Sequence, residues 1–224
     1  VHDRKKFLLI LVFVFTICMM RHSAMMVGED DGIVNAAVTS LSDTAFCEVA
    51  DTLNHEALAE CIACMSCAQT GRCVFDDRVN EFLDIAGDFD GYIFGSPVHF
   101  ASAGGAITSF MDRAFYVDGR AGTQAFYLKP AAVVVSARRA GTTATFDQLN
   151  KYFTIKEMPV ISSRYWNMVH GHTPEDVKKD LEGLQTMRIL GRNMAFFLKC
   201  KAAGLQAGVT FSEREDITFT NFIR

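Results

Sequence analysis

Hydrophobic residues follow two patterns along this chain. Short unbroken apolar runs alternate with stretches in which apolar residues recur every three or four positions. The first run, residues 7–20 (FLLILVFVFTICMM), follows Arg4, Lys5 and Lys6. It is shorter than the roughly 20 residues a membrane span takes. It suits the buried first strand of a parallel sheet, which reads as a continuous apolar run, or the apolar region of a targeting segment. Residues 92–94 (YIF) predict a strand entered from the Asp90-Gly91 turn and stopped by Gly95-Ser96-Pro97. Residues 131–136 (AAVVVS) predict the clearest buried strand, and 160–168 (VISSRYWNM) a further one.

Helical spacing fills the intervals. Phe46, Val49, Leu53 and Leu58 predict a helix over 42–59, capped by Ser42 or Asp43. Val79, Phe82, Leu83 and Ile85 predict the inward face of a helix over 77–87, and further helices are expected over 104–116 and 145–154. Thr173-Pro174-Glu175-Asp176 is a helix start, with Thr as cap and Pro at the first position. Val177, Leu181, Leu184, Met187, Leu190, Met194 and Phe197 then predict one amphipathic helix of about 28 residues ending near Gly204. Phe211 to Arg224 has no clear period.

Alternating strands and helices with apolar strands predict a doubly wound α/β fold around a parallel sheet. The expected organisation is a divergent segment over 1–40, a main domain over 41–204 and a tail over 205–224. Ligands of such sheets bind outside the carboxyl ends of the strands, at the switch point. The loops after strands therefore carry the interest.

Composition removes several classes. The chain has 224 residues, enough to bury a core, and half of them are hydrophobic, which excludes disorder as a whole. A net charge of −4 gives no general pull toward nucleic acid. Seven cysteines are too irregular in number for a secreted disulfide framework. A reducing, cytoplasmic compartment and no membrane attachment are expected. Cys18, Cys47 and Cys200 read as buried apolar fillers.

The other four are spaced Cys61-x2-Cys64-x2-Cys67-x5-Cys73. Three cysteines two residues apart can wrap one face of a compact cluster, and a fourth can close it. Tetrahedral zinc also takes four thiolates, though more often from two separated knuckles. Free or redox-active thiols are the third reading. Two strand-end loops have ligand-binding character. Ser96, Pro97, Val98, His99 and Phe100 can set backbone groups and an aromatic pair against a flat heterocycle. Ser136, Ala137, Arg138, Arg139 and Gly141 can hold an electron-rich ring or a phosphate. Both loops also fit plain surface turns, and His99 an exposed loop histidine. His170 and His172 read as residues of a helix-entry turn and lack further zinc ligands.

The stretch GSPVHFASAGGAITSFMDR, residues 95–113, resembles the flavin-binding region of the flavodoxin-like, NADPH-dependent FMN reductase superfamily. The run CIACMSCAQTGRC, residues 61–73, resembles its iron–sulfur flavoprotein branch. The resemblance covers about residues 45–200. It implies a flavodoxin-like, three-layer doubly wound parallel sheet and FMN beside Ser96, Pro97, Val98, His99 and Phe100, with Ser136, Ala137, Arg138, Arg139 and Gly141 across the ring. Many relatives have Tyr where this chain has His99. It also implies a [4Fe–4S] cluster on Cys61, Cys64, Cys67 and Cys73 that relays electrons to or from FMN. NAD(P)H as donor, a small-molecule or protein redox partner, and a homodimer or homotetramer follow from the resemblance alone, because no Gly-x-Gly-x-x-Gly follows a strand here. The expected activity is that of an FMN-dependent oxidoreductase or electron-transfer flavoprotein.

One departure stands out. Relatives carry a phosphate loop of Gly, Ser, Pro and Arg after the first strand, whereas Ile10 is followed here by Leu11-Val12-Phe13. The nearest substitute is Asn35 to Ser40. The passage from Asn54 to Cys61 also leaves no room for an edge strand. The phosphate loop and the edge strand are therefore expected to be lost. The contrasting reading is a non-enzymatic flavodoxin-fold remnant that binds metal or a partner protein without flavin. A membrane-tethered flavoprotein using residues 7–20 is the weakest.

Overall fold

The computed structural model describes residues 6–10, 46–49, 57–220 and 222. Its sheet holds β1 (Lys6–Ile10), β2 (Phe46–Val49), β3 (Phe89–His99), β4 (Ser102–Ala103), β5 (Ala131–Ala137) and β6 (Met168–His170). The order is β2-β1-β3-β5-β6, all parallel, with β4 turning back antiparallel on β3. This is the flavodoxin-like arrangement, with its switch point between β1 and β3. Lys6–Ile10 behaves as the first strand that its apolar character predicts: Leu8 pairs with Tyr92 and Ile10 with Phe94.

Strand alternation divides the core into two faces. Tyr92, Phe94, Val133 and Val135 belong to a cluster with residues of α2 (Arg78–Ala86), α3 (Gly105–Ala121) and α4 (Thr142–Ile155). Phenylalanines dominate it; Phe115 and Phe126 stack with ring centres 4.4 Å apart. Tyr92 is fully buried, and its hydroxyl donates to the carbonyls of Ala86 and Ala125. Ile93 and Val134 lie outside that cluster, on the opposite face, as do the buried Met187, Leu190 and Met194 of α6 (Leu181–Gln206). Two short helices, α1 (Cys67–Thr70) and α5 (Pro174–Val177), complete the set.

Five expectations change. The edge strand is present: Phe46–Val49 pairs with β1, where the sequence predicted a helix over 42–59 and no strand. Phe46 and Val49 sit three apart, so helical period fits them, but a four-residue edge strand needs only local extension. The strand expected over 160–168 starts at Met168; Val160 makes a single bridge to Ala131. The 28-residue helix is two pieces. Thr173 caps α5 through Asp176 N–H at 3.3 Å, as predicted, but the chain breaks before Asp180. The Asp180 carboxylate caps α6 by accepting from Gly183 N–H at 2.9 Å and accepts from His170 N–H on β6 at 2.7 Å. Finally, Cys200 is exposed rather than a core filler, and Ile85 is exposed on α2 while Asn80 is buried there. Cys18 and the Asn35–Ser40 substitute for a phosphate loop lie outside the described residues. No helix among the described residues is long and apolar enough to cross a membrane.

Candidate functional site

The carboxyl ends of β3, β5 and β6 form one ledge. Pro97 pairs with Ser136, and Ala137 with His170. Ser96 is buried; its hydroxyl donates to Pro97 O and accepts from Gly104 N–H at 3.2 Å, which folds the loop back toward α3. β4 is pinned to α4 by Gln148, whose Oε1 accepts from Ser102 Oγ at 2.7 Å and Ala103 N–H at 3.1 Å. At the loop tip Phe100 and Ala101 have φ of +48° and +62°. Left-handed backbone is costly for a bulky aromatic residue and concentrates at ligand clamps. The Phe100 ring is fully exposed.

Gly141 brings the two loops into contact. Its φ is +99°, and a Cβ there would stand 2.7 Å from Ala101 Cα and 2.7 Å from Val98 Cγ1. The structure thus unites Pro97, Val98, Phe100, Ser136, Ala137 and Gly141 at one edge, with Arg138 and Arg139 exposed beside them. His99 Nε2 is buried without a hydrogen-bond partner. The ledge offers apolar and backbone surface with two guanidinium groups beside it, the chemistry that a flat, hydrogen-bonding group calls for.

The cysteine loop lies further along α3. Cys61, Cys64, Cys67 and Cys73 all line one small pocket, together with Phe75, Arg113, Tyr116 and neighbouring apolar residues. Ala63 and Met65 adopt φ of +52° and +62°, turning the chain between successive cysteines. Burial pushes the Cys67 thiol up, and charge on Cys61, Cys64 and Cys73 pushes it further. Four thiolates gathered at one pocket would repel one another, so a positive centre is what would hold them together there. Among the described residues no group of three or more His, Cys, Asp or Glu side chains is placed to hold a metal ion. One tetrahedral zinc needs its sulfurs within about 4 Å of each other, given Zn–S bonds near 2.3 Å. Four cysteines lining one pocket are the kind of donor set that a polynuclear cluster takes.

Two residues that spacing did not reveal hold this loop. Asn80, buried on α2, accepts from Cys73 N–H at 2.9 Å and donates to Cys73 O and Phe75 O at 3.0 Å each. Arg113 has a fully buried side chain. Its Nε–H donates to Cys73 Sγ at 3.1 Å, and its two terminal nitrogens grip Asp77 at 2.7 and 2.8 Å. The same nitrogens also reach Ala59 O and Phe75 O. Burial works against its charge, but the bonds to Asp77 and Cys73 outweigh burial and raise its pKa. Arg113 closes the 95–113 motif, which was the available signal. His170 ends β6 with Nδ1 3.9 Å from the Asp180 carboxylate, and His172 follows in the turn; no group of three such ligands among the described residues is placed to hold a metal ion.

Residues 32–173 match the family described as NADPH-dependent FMN reductase. An iron–sulfur flavoprotein of Methanocaldococcus jannaschii is 33% identical over 172 residues, covering 74% of this chain and 86% of that one. Among solved structures, RosB with bound 8-demethyl-8-formylriboflavin-5'-phosphate superposes with a TM-score of 0.62 at 15% identity, over 98% of this chain and 94% of RosB. A WrbA-like flavodoxin of Agrobacterium tumefaciens gives 0.56 at 12% identity, over 87% and 98%. The chain spans only 37% of the length of the flavodiiron core of Synechocystis sp. that it also matches, at 12% identity over 89% of its own length and a TM-score of 0.54. These structural likenesses establish a flavodoxin-like fold.

Proposed function

The chain belongs to the NADPH-dependent FMN reductase family, and from that premise we propose that it is an FMN-dependent oxidoreductase with a [4Fe–4S] cluster on Cys61, Cys64, Cys67 and Cys73. FMN supplies two-electron chemistry with an NAD(P)H donor, and the cluster relays electrons to or from it one at a time. One observation carries the reading: a single helix serves both sites. α3 starts at Gly105 behind the flavin ledge and presents Arg113 to the cysteine cavity about 12 Å further along, at 1.5 Å per residue.

The chain's own residues bind and orient. Pro97 and Val98 form a flat floor, the exposed Phe100 covers an edge or face, and Ser136, Ala137 and Gly141 offer backbone groups from the opposite loop. Arg138 and Arg139 supply positive charge for an electron-rich ring or phosphate. Asn80 and Arg113 fix the backbone and sulfur of Cys73. A homodimer or homotetramer in the cytoplasm, serving a small-molecule or protein redox partner, belongs to this proposal.

The test is an absorption spectrum of protein purified without oxygen, with iron, sulfide and FMN counted per chain. Flavin bands on a broad brown background, with four irons, are expected. In Cys64→Ser the iron signal is expected to vanish while flavin stays bound. Loss of neither overturns the cluster assignment. Protein that takes iron but no FMN in a fluorescence titration is the flavin-free remnant instead.

A further inference from the structure

We propose that Arg113 is a positioning residue that sets the reduction potential of the cysteine site through its Nε–H bond to Cys73 Sγ, with Asp77 tempering its charge. The inference rests on the cluster reading above and adds a role for two residues that are not ligands. The geometry is specific. Arg113 comes from a different element, 40 residues along the chain from Cys73, yet its Nε points at the sulfur at 3.1 Å. The guanidinium cannot rotate away, because Asp77 holds both terminal nitrogens and the Phe75 ring lies 5.0 Å from its central carbon. Its side chain is wholly buried, so water does not screen it.

Reduction adds one electron, and one negative charge, to the site and its thiolates. A fixed N–H donor and a buried cation on a ligand sulfur favour the more negative state, which raises the potential. Asp77 carries the opposite charge on the same guanidinium and lowers that effect. Arg113 and Asp77 are therefore expected to act with opposite signs. A purely structural role for the pair has no reason to produce that sign reversal.

The experiment uses the full chain with FMN, reconstituted anaerobically with iron and sulfide and titrated with dithionite, the one-electron source, while the cluster is followed by EPR. Arg113→Lys keeps a cation near Asp77 but removes the Nε–H donor. At a fixed potential its reduced-to-oxidised ratio is expected to fall about tenfold, a shift of about 59 mV for a one-electron couple. Asp77→Asn keeps an oxygen for the α2 cap and for the guanidinium but removes the charge. Its ratio is expected to rise. Iron-replete Arg113→Lys with an unchanged midpoint, or both variants moving the same way, overturns the inference. If Arg113→Lys fails to hold iron, Asp77→Asn decides alone: a rise supports the inference and an unmoved midpoint overturns it. Wild-type protein that takes up no iron overturns the cluster reading itself, a different result from an iron-loaded wild type with unresponsive variants.

Discussion

At the amino end of α3 the ledge of strand-end loops is held by backbone, while beside Arg113 the cysteine loop is held by side chains. The ledge inherits its position from the β3–β5 ladder, with Gly141 letting two loops touch. The cysteine loop has no ladder. Between Glu60 and Asp77 its only regular element is the one turn of α1, and Asn80, Asp77 and Arg113 take up its polar groups. A sheet edge tolerates side-chain change as long as the strands persist. A loop clamped by two buried side chains and the part-buried Asp77 fails when one of them is removed.

Four measurements sharpen or break that contrast. The largest effect is expected from Arg113→Ala, which removes a fully buried side chain and leaves the part-buried Asp77 carboxylate without its guanidinium partner. It should lower unfolding free energy by about 3 kcal/mol or more in a denaturant titration. A loss under about 1 kcal/mol contradicts side-chain clamping. Asn80→Ala leaves the N–H and C=O of Cys73 without partners and should lose about 2 kcal/mol. Its readout is the denaturation midpoint, together with iron retention at equal FMN content. Gly141→Val acts on the other site. Its side chain forces Ala101 and Val98 apart, so FMN affinity is expected to drop at least about tenfold, or about 1.4 kcal/mol, with iron content preserved. Equal affinity would show that loop contact does not shape the ledge.

The smallest effect concerns pH. Lys129 donates to Ala86 O and Gly87 O at the carboxyl end of α2, the helix that carries Asn80. Burial pulls its pKa down from 10.5 to about 8. The unfolded chain then binds more protons between those values, so stability rises with pH through that window. Against Lys129→Met, wild-type stability should be flat below about pH 8 and gain above it. A falling difference would mean that the ammonium is stabilised in place.

The ledge was legible in the sequence because its causes are local. YIF stopped by Gly-Ser-Pro, and AAVVVS followed by a polar loop, define two strands and the loops that leave them. Cysteine spacing likewise announced a shared site. The clamps were not legible. A single arginine in an amphipathic helix reads as solvated, and only the tertiary fold brings Arg113 to Cys73. Asp180 was hidden for a related reason. It lies inside a seamless apolar periodicity, and its role depends on His170, ten residues back on a strand. The β2 strand was missed because three-residue spacing over so short a stretch serves helix and strand alike.

Asp180 carries one more consequence. A single carboxylate receives amide protons from the last strand and from the first turn of the last helix, so neither end can fray alone without leaving that carboxylate half-satisfied. In hydrogen exchange the amides of His170 and Gly183 are expected to lose protection in the same opening event, making the far edge of the sheet and its covering helix one cooperative unit.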